Sequence, residues 1–344
     1  MNKLLTIIIP TYNMETLLDK CLTSLILDTK ELRERLDVIV AIDGATDQSS
    51  EIAHRYADRY PEMFSVIDKE NGNYGSCINA ALPRVKGKYV RILDADDTYN
   101  TKELPAYLDV LEQQDVELVL TDFETVDDKG EILSATHFFF DKMMVLPFSV
   151  IPSNLFIKMH SVAYKSDIFQ RINYCQTEGA SYTDAEWVFH PMAAVNNMYY
   201  YNHTIYRYLV GRDGQTVNPT TILKRLSHVE KSLWTMLNVY RSIPNSNQAK
   251  EYMLCAIRRR IGKLYVFGLD KQATYDLVTF DKKLLRDYPE IYCDTNNITL
   301  PVGVGKIQMP IIKMWRRVKS KRGLYLFPLY DLYVIMNKIH RVRN

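Results

Sequence analysis

The sequence is poor in cysteine, and its cysteines follow no pattern. Its 344 residues include five cysteines, an odd number, and they are scattered and never spaced Cys-x-x-Cys. A disulfide framework or a structural zinc site needs cysteines in regular groups. The missing pattern argues against both and is typical of a protein that stays in a reducing cytoplasm.

Long apolar runs are missing as well. A membrane-spanning helix needs about 20 consecutive apolar residues, and no segment of the sequence has them. The apolar stretch Leu4–Ile9 is short, meets Pro10 and has no small-residue cleavage site, so we expect a first strand rather than a signal peptide. The net charge of +2 gives no argument for nucleic-acid binding.

What the chain has instead is a regular alternation of strand and helix signals. Residues with helical spacing separate short apolar runs, and these runs predict strands at residues 4–9, 37–42, 64–67, 89–93 and 117–123. This order predicts an α/β fold, with a mostly parallel sheet flanked by helices. Ligands of such sheets bind beyond the carboxyl ends of the strands. Four polar residues fall at that edge: Tyr12, Asp43, Asn71 and Asp94.

The alternation weakens from about residue 125. We expect a hairpin turn at Asp127–Gly130 and an aromatic irregular segment over the site at Phe138–Val150. A helix should follow from Thr183 to about Val195, and then a tyrosine-rich strand at 198–209. Residues 220–285 have mainly helical patterns. We therefore predict a sheet domain over residues 1–218 and a mainly helical C-terminal extension over 219–344.

Three aspartates follow the fourth predicted strand: Asp94, Asp96 and Asp97. Carboxylates at the end of a buried strand repel one another and lose hydration, so they need a compensating cation. Mg²⁺ prefers such oxygen ligands and typically lies between one or two carboxylates and the phosphates of a substrate. A helix-capping turn is the alternative, and an EF-hand is disfavoured because its glycine and closing glutamate are missing. We favour a site for a metal-bound phosphate compound.

Three other loops are candidates for contact with a nucleotide. Asp43 precedes Gly44 and either forms a tight turn or contacts a nucleobase or ribose. Tyr12 either stacks on a base or lines the loop after the first strand. The segment Asn71–Ser76 contains Gly75, precedes a helix and could bring backbone N–H groups to a phosphate. It is not a Walker loop, since the Gly-Lys-[Ser/Thr] ending is absent.

The segment Thr183–Glu186 supports two interpretations. Thr183 and Glu186 fit the capping box, which would make Glu186 structural. Asp184 would then lie in the first helical turn, where the helix dipole stabilises its ionised form. An ionised carboxylate at a cleft can accept a hydroxyl proton. Arg212, after the tyrosine-rich strand, carries a fork of donors that suits a diphosphate.

Taken in order, these motifs resemble the inverting family-two nucleotide-sugar glycosyltransferases of the GT-A fold. The resemblance covers about residues 4–215, and its matches lie at Ile7–Asn13, Ile42–Asp47, Glu70–Ser76 and Gly87–Asp97. It implies a UDP-sugar as donor, a saccharide hydroxyl as acceptor and Mg²⁺ or Mn²⁺ as cofactor. It also implies a set of residues that bind the nucleotide-sugar: Pro10, Thr11, Tyr12, Asp43, Asn71, Gly75, Asp94, Ala95 and Arg212.

The resemblance assigns roles within that set and beyond it. Thr11, Tyr12 and Asp43 would hold the uridine, and Asp94 would contact the ribose or the sugar. Asp96 would coordinate the metal on the diphosphate. Asp184 lies where the family has its acidic catalytic base, although Thr183 stands where a glutamate commonly precedes that base. This departure leaves Glu186 as the alternative proton acceptor.

The tail from about Pro310 interleaves Lys and Arg with Trp, Ile and Leu. Such a basic amphipathic composition suits an anionic membrane surface, with a solvated helix face or a contact between subunits as the alternatives. We therefore expect a protein at the cytoplasmic face of the membrane, acting on a lipid-linked acceptor in cell-surface polysaccharide assembly. A sugar nucleotidyltransferase and a noncatalytic sugar-binding module are the competing functions.

Overall fold

A computed structural model describes residues 3–141, 143–211, 218–270, 273–302 and 307–318. The chain forms two compact units, Met1–Asp213 with Asn238–Met253, and Gly214–Leu237 with Leu254–Asn344. The predicted domain boundary after residue 218 stays a prediction. Within the described ranges, no helix has the length and apolar composition that crossing a membrane requires.

The first unit is built on a ten-stranded sheet. Its strands are β1 (Leu5–Thr11), β2 (Leu36–Asp43), β3 (Phe64–Lys69), β4 (Tyr89–Ile92), β5 (Thr98–Tyr99), β6 (Leu118–Val126), β7 (Ile132–Thr136), β8 (Val145–Pro147), β9 (Val162–Lys165) and β10 (Asn197–Leu209). The helices up to residue 189 are α1 (Leu18–Thr23), α2 (Lys30–Glu34), α3 (Ser49–Arg59), α4 (Asn73–Ala81), α5 (Leu104–Gln113), α6 (Asp167–Arg171) and α7 (Asp184–Phe189).

The sheet has the order β3-β2-β1-β4-β9-β6-β10-β5, with β7 beside β6 and β8 beside β10. Strands β3, β2, β1 and β4 run parallel, and β10 runs parallel to β6. The short strand β9 is antiparallel to both β4 and β6, so the sheet is mixed. The predicted α/β class, with helices flanking the sheet, is confirmed.

The three inner strands of the parallel half, β1, β2 and β4, are buried on both faces, whereas the edge strand β3 is partly exposed. All eight residues of β2 are buried, and in β1 only Pro10 has partial exposure. Such strands are continuous apolar runs because helices cover both sides of the sheet, which is why the sequence pattern located them. The buried strands hold the loops at their carboxyl ends in fixed positions.

Two predicted elements differ from the structure. The helix expected from Thr183 to about Val195 ends at Phe189, and a 3-10 turn over Pro191–Ala194 follows. Pro191 has no N–H to continue the helical ladder, which explains the early end. The segment 138–150 is not wholly irregular, since Val145–Pro147 forms β8 on β10.

The described part of the chain after residue 218 is mainly helical, as predicted. Its remaining helices are α8 (Pro219–Lys224), α9 (Leu226–Ser242), α10 (Lys250–Gly268), α11 (Leu277–Asp287), α12 (Pro289–Asp294) and α13 (Ile311–Val318), and its hairpin consists of β11 (Leu300–Val302) and β12 (Ile307–Met309). Within the second unit, residues from α10 and α11 form aromatic contacts such as Tyr265 on Phe280.

The start of the basic tail does not face outward as the membrane prediction requires. In α13 the apolar side chains of Ile311, Ile312 and Trp315 are buried in the second unit. Arg316 is also buried, and its Nε lies 2.8 Å from Oδ1 of Asp281. These side chains pack into the protein and are not available to a membrane, so for this part of the tail the predicted membrane-facing role is wrong. Residues 319–344 lie outside the described residues.

Candidate active site

An acidic cluster follows β4, at the edge of the sheet where the sequence predicted it. One carboxylate oxygen from each of Asp94, Asp96 and Asp97 lies within 4.8 Å of the other two. The Asp97 N–H donates to the Asp94 carbonyl at 2.9 Å and closes the turn that groups the three side chains. Asp97 is buried, Asp94 and Asp96 are partly exposed, and the intervening Ala95 is buried.

Two tyrosines fix the orientation of the cluster. The Tyr74 hydroxyl donates to Oδ1 of Asp94 at 2.9 Å, and the Tyr206 hydroxyl donates to Oδ2 of Asp97 at 2.5 Å. The backbone N–H of Leu209 donates to the other oxygen of Asp97 at 2.7 Å. Both carboxylate oxygens of Asp97 therefore accept hydrogen bonds within the protein, whereas Asp94 and Asp96 are partly exposed.

The cluster fits a hard divalent cation. Burial, followed by the nearby charges of Asp96 and Asp94, raises the pKa of Asp97 well above its usual range. That repulsion between carboxylates is what a dication among them relieves. Oxygen donors at this spacing are the ligands that Mg²⁺ and Mn²⁺ prefer. The donor set thus agrees with the predicted cofactor, and the assignment of Asp96 as a ligand stays a prediction.

Asp43 is held by a cation and by the loop after β3. Its Oδ1 accepts from Lys69 Nζ at 2.8 Å and from the Gly72 N–H at 2.9 Å. The Asn71 side chain donates to the Asp43 carbonyl at 2.9 Å, so Asn71 supports the backbone at Asp43. Gly44 has a φ of +67°, and a Cβ there would lie 2.8 Å from the Asn71 nitrogen. This close approach explains the glycine.

The loop after β1 lies beside the loop after β2. Asn13 accepts the Thr46 N–H at 2.8 Å, which joins the two loops. Thr11 is buried, and its hydroxyl donates to the Ile9 carbonyl at 3.1 Å, whereas Tyr12 is 48% exposed. Pro10 precedes them in the last part of β1. Of these residues, Tyr12 has the exposed ring that stacking on a base requires.

Gly75 lies in the first turns of α4, where a neighbouring segment approaches it closely. A Cβ at Gly75 would lie only 2.1 Å from the Thr177 carbonyl oxygen. The Gly179 N–H donates to the Gly72 carbonyl at 2.8 Å, which fixes the same segment against the start of α4. The glycine is explained by this contact, and the predicted approach of Gly75 to a phosphate stays a prediction.

The two candidate bases in α7 occupy different environments. Glu186 is fully buried, and its Oε2 accepts the Thr177 N–H at 2.9 Å. Asp184 is exposed, and its charge contributes, after burial and Asp94, to the raised pKa of Tyr74. Asp184 is therefore the accessible carboxylate on the side of the acidic cluster.

The predicted capping box is absent. Thr183 precedes α7 without a side-chain capping bond, because its hydroxyl accepts from the Gln176 amide at 3.0 Å. Glu186 instead accepts the Thr177 N–H, and its role as the alternative proton acceptor stays a prediction. Arg212, the predicted diphosphate ligand, lies outside the described residues.

Sequence reasoning missed three residues that shape the site: Lys69, Tyr74 and Tyr206. Lys69 ends β3 at the ligand edge of the sheet, so its position alone could have indicated it. Tyr74 belongs to α4, and Tyr206 belongs to the tyrosine-rich strand β10. Only the pairing of β10 with its neighbouring strands shows which of its tyrosines lie beside the acidic cluster. No spacing in the sequence could have shown that.

Comparison with known proteins identifies one family. Residues 6–174 match the model of glycosyl transferase family 2. An uncharacterised glycosyltransferase of Rickettsia typhi is 26% identical over 240 residues, which cover 67% of this chain and 70% of the relative. A second, from Mycoplasma pneumoniae, is 37% identical over 98 residues, which cover 28% of this chain and 32% of the relative. The chain thus matches only about a third of the length of that second relative.

The fold is shared with a solved structure. The crystal structure of TarS residues 1–349 from S. aureus in complex with UDP has a TM-score of 0.59 to this chain and 17% identity, covering 82% of this chain and 78% of that one. The same protein in complex with UDP-GlcNAc gives a TM-score of 0.56, with 16% identity over 85% of this chain and 79% of that one. Residues 6–174 therefore form a glycosyl transferase family 2 domain, and the fold of the chain is the GT-A fold.

Proposed function

We propose that the protein transfers a hexose or N-acetylhexosamine from a UDP-sugar to a saccharide hydroxyl, with a divalent metal and with inversion at the anomeric carbon. The observation that carries the proposal is that Asp43 ends β2 and the acidic cluster at Asp94–Asp97 follows β4, so that these parallel strands bring both to the same edge of the sheet. Asp184 adds to it, because its charge acts on Tyr74, whose hydroxyl donates to Asp94. TarS, which shares the fold, was crystallised with UDP and with UDP-GlcNAc.

Uridine recognition follows from the end of β2. An ionised Asp43 can accept only, and the N3–H of uracil is a donor. The described hydrogen bonds to its carboxylate, from Lys69, Gly72 and Ser76, use Oδ1, so Oδ2 would be the oxygen for the base. The exposed ring of Tyr12 supplies a face on which the base stacks. The same contacts accept thymine, so dTDP-sugars are the matched alternative donor.

The acidic cluster would hold the metal. Asp96, with Asp94 beside it, would ligate Mg²⁺ or Mn²⁺, and Asp97 supports the turn from within the protein. When bound, the metal supplies positive charge that balances the charge developing on the departing UDP.

Asp184 takes the acceptor proton in this proposal. The acceptor oxygen forms a bond to the anomeric carbon while the bond from that carbon to the UDP oxygen breaks, and the hydroxyl proton passes to the Asp184 carboxylate. Attack from the face opposite the leaving group inverts the configuration. A positioned general base contributes about 10²–10⁴-fold to such a step. Glu186 is disfavoured because it is fully buried and bonded to Thr177.

A donor screen tests the proposal. Purified protein is incubated with UDP- and dTDP-sugars and Mg²⁺ or Mn²⁺, and the release of UDP or dTDP is followed with and without saccharide acceptors. We expect metal-dependent nucleoside diphosphate release with at least one donor. Release of pyrophosphate instead would indicate a nucleotidyltransferase. Tight donor binding with no release under any condition would indicate a noncatalytic sugar-binding module.

We extend the proposal to a lipid-linked acceptor and to a peripheral position on the cytoplasmic face of the membrane. Its support is the basic composition after Val318, where the sequence has Lys319, Lys321 and Arg322. A chain truncated after Val318 keeps α13 and its buried contacts, and it should partition less with anionic vesicles than the full chain. Equal partitioning of the two chains would remove this support.

A further inference from the structure

Lys158 is partly buried, and the described contacts of its ammonium are to aromatic rings alone. Its Nζ lies 5.1 Å from the ring centre of Phe123 and 6.0 Å from that of Tyr208. No carboxylate of the described residues lies within ion-pair distance of it. Burial lowers the pKa of Lys158. The faces of two rings offset part of the cost of desolvating an ammonium, but they do not neutralise its charge.

Lys158 borders the acidic cluster. The neighbouring Met159 sulfur accepts from the Tyr74 hydroxyl at 3.4 Å, and that hydroxyl also donates to Asp94. Tyr208 is one of the two rings below the ammonium. Burial raises the pKa of Tyr208, and the charges of Asp97 and Asp94 raise it further. The ammonium is thus linked to the acidic cluster through two residues, its ring partner Tyr208 and its neighbour in sequence Met159.

The backbone that carries Lys158 is fixed. Its carbonyl accepts the Ser161 N–H at 3.1 Å, at the start of a 3-10 turn over Met159–Ser161. The carbonyl of His160 in that turn accepts from the buried Arg91 guanidinium at 2.5 Å. Met159 is buried in the core beside it. An ammonium on such a support is positioned before any ligand binds, which lowers the cost of using it.

We propose that Lys158 binds an oxygen of the donor's diphosphate and stabilises UDP as it leaves. This inference rests on the proposed function. An ammonium is a compact point charge and a common ligand of phosphate oxygens. Within the described ranges this cation has no carboxylate partner, and it packs on Tyr208, next in the chain to Met159, which accepts from the tyrosine that also donates to Asp94. It therefore has the charge to contact the anionic oxygens of a diphosphate whose other end the acids would hold through the metal.

Calorimetric titration of UDP and of uridine separates the diphosphate from the base. We expect Lys158→Met to weaken UDP binding about tenfold in the presence of Mg²⁺, because a charged hydrogen bond is lost, and to leave uridine binding unchanged. Lys158→Arg should recover most of the UDP affinity. Lys165→Met is the matched control, since Lys165 lies on β9 and pairs with Asp115. It should not change either affinity.

Two results would overturn the inference. In one, Lys158→Met binds UDP as tightly as the wild type. In the other, it weakens UDP and uridine equally, which would mean that Lys158 only supports the packing of Phe123 and Tyr208. A wild-type protein that binds no UDP would instead contradict the proposed function, so the two failures are distinguishable. Circular dichroism confirms that each variant is folded.

Discussion

The ammonium of Lys69 lies 2.8 Å from Oδ1 of Asp43, and the Ser76 hydroxyl lies at the same distance from that ammonium. Asp43 is buried, whereas the Lys69 side chain is one-fifth exposed. A lysine from the end of β3 is thus paired with a buried carboxylate at the end of β2. Nucleobase recognition in the proposed mechanism depends on this pair.

Replacing Lys69 tests that dependence. Lys69→Met leaves the Asp43 carboxylate buried without its cation, which favours the protonated form and misaligns the acceptor for the base. We expect the affinity for both UDP and uridine to fall roughly tenfold, measured by calorimetry. Lys20→Met, on the exposed surface of α1, is the control. Equal loss in the control, or no loss in Lys69→Met, would contradict the role given to Lys69.

The roles of Asp184 and Glu186 can be separated by comparing activity with stability. Asp184→Asn should lower turnover about 10²–10⁴-fold and leave UDP affinity unchanged, because only the proton acceptor is lost. Glu186→Gln should lower the free energy of unfolding by about 2 kcal/mol, since it weakens a buried charged bond to the Thr177 N–H, while the folded fraction stays active. The opposite pattern would make Glu186 the base.

Removing the metal tests the acidic cluster. EDTA should abolish sugar transfer, and added Mg²⁺ or Mn²⁺ should restore it. Asp96→Asn should raise the metal concentration needed for half-maximal activity, because one anionic ligand is lost. Full activity in EDTA would refute the metal assignment. A metal response unchanged in Asp96→Asn would move the ligand role to another residue of the cluster.

His190 should make the protein sensitive to mild acid. Burial lowers its pKa to about 3, and its ring packs on Tyr174. The unfolded chain takes up a proton near pH 6.5, whereas the folded chain does not until about pH 3, so stability falls as pH falls through this window. From pH 7 to 5 the loss from this histidine is about 2 kcal/mol. Urea unfolding of His190→Phe should show a smaller loss than the wild type over this range, and an equal loss would count against it.

Gly75→Ala should destabilise the folded protein near the site without changing a charged residue. The added Cβ would lie 2.1 Å from the Thr177 carbonyl oxygen, so α4 or the segment at Thr177 must move. Overpacking of this kind costs about 1–3 kcal/mol. Thermal unfolding measures the loss, with Gly130→Asn as control, because Gly130 has a φ of +84° that asparagine tolerates and open space around it. A wild-type melting temperature in Gly75→Ala would show that the contact is not tight.

The parallel half of the sheet was predictable because its inner strands are short apolar runs buried on both faces, and polar residues follow them directly. The alternation of strand and helix signals was therefore enough to locate Asp43 and Asp94 at one edge of the sheet. The antiparallel insertion of β9 between β4 and β6 was not predictable, since a four-residue strand has no distinctive pattern. The partners of Tyr206 and Lys158 depend on packing across distant strands, which sequence spacing does not record.

The basic tail also shows a limit of sequence patterns, which do not identify the partner of an apolar helix face. Apolar residues at helical spacing with charges between them have the same pattern whether the apolar side meets lipid or protein. In α13 the side chains of Ile312 and Trp315 meet protein, and Arg316 is paired with Asp281. Periodicity identified the helix, but the choice between partners required the burial of each side chain.

The backbone of Thr177 serves two helices at once: its N–H meets Glu186 of α7, and its carbonyl oxygen lies against Gly75 of α4. One residue's main chain thus sets the span between the helix whose tyrosine orients Asp94 and the helix that carries Asp184. Both contacts are made by main-chain atoms of Thr177. A one-residue insertion or deletion would shift the two helices against each other, so the length of this stretch is under constraint.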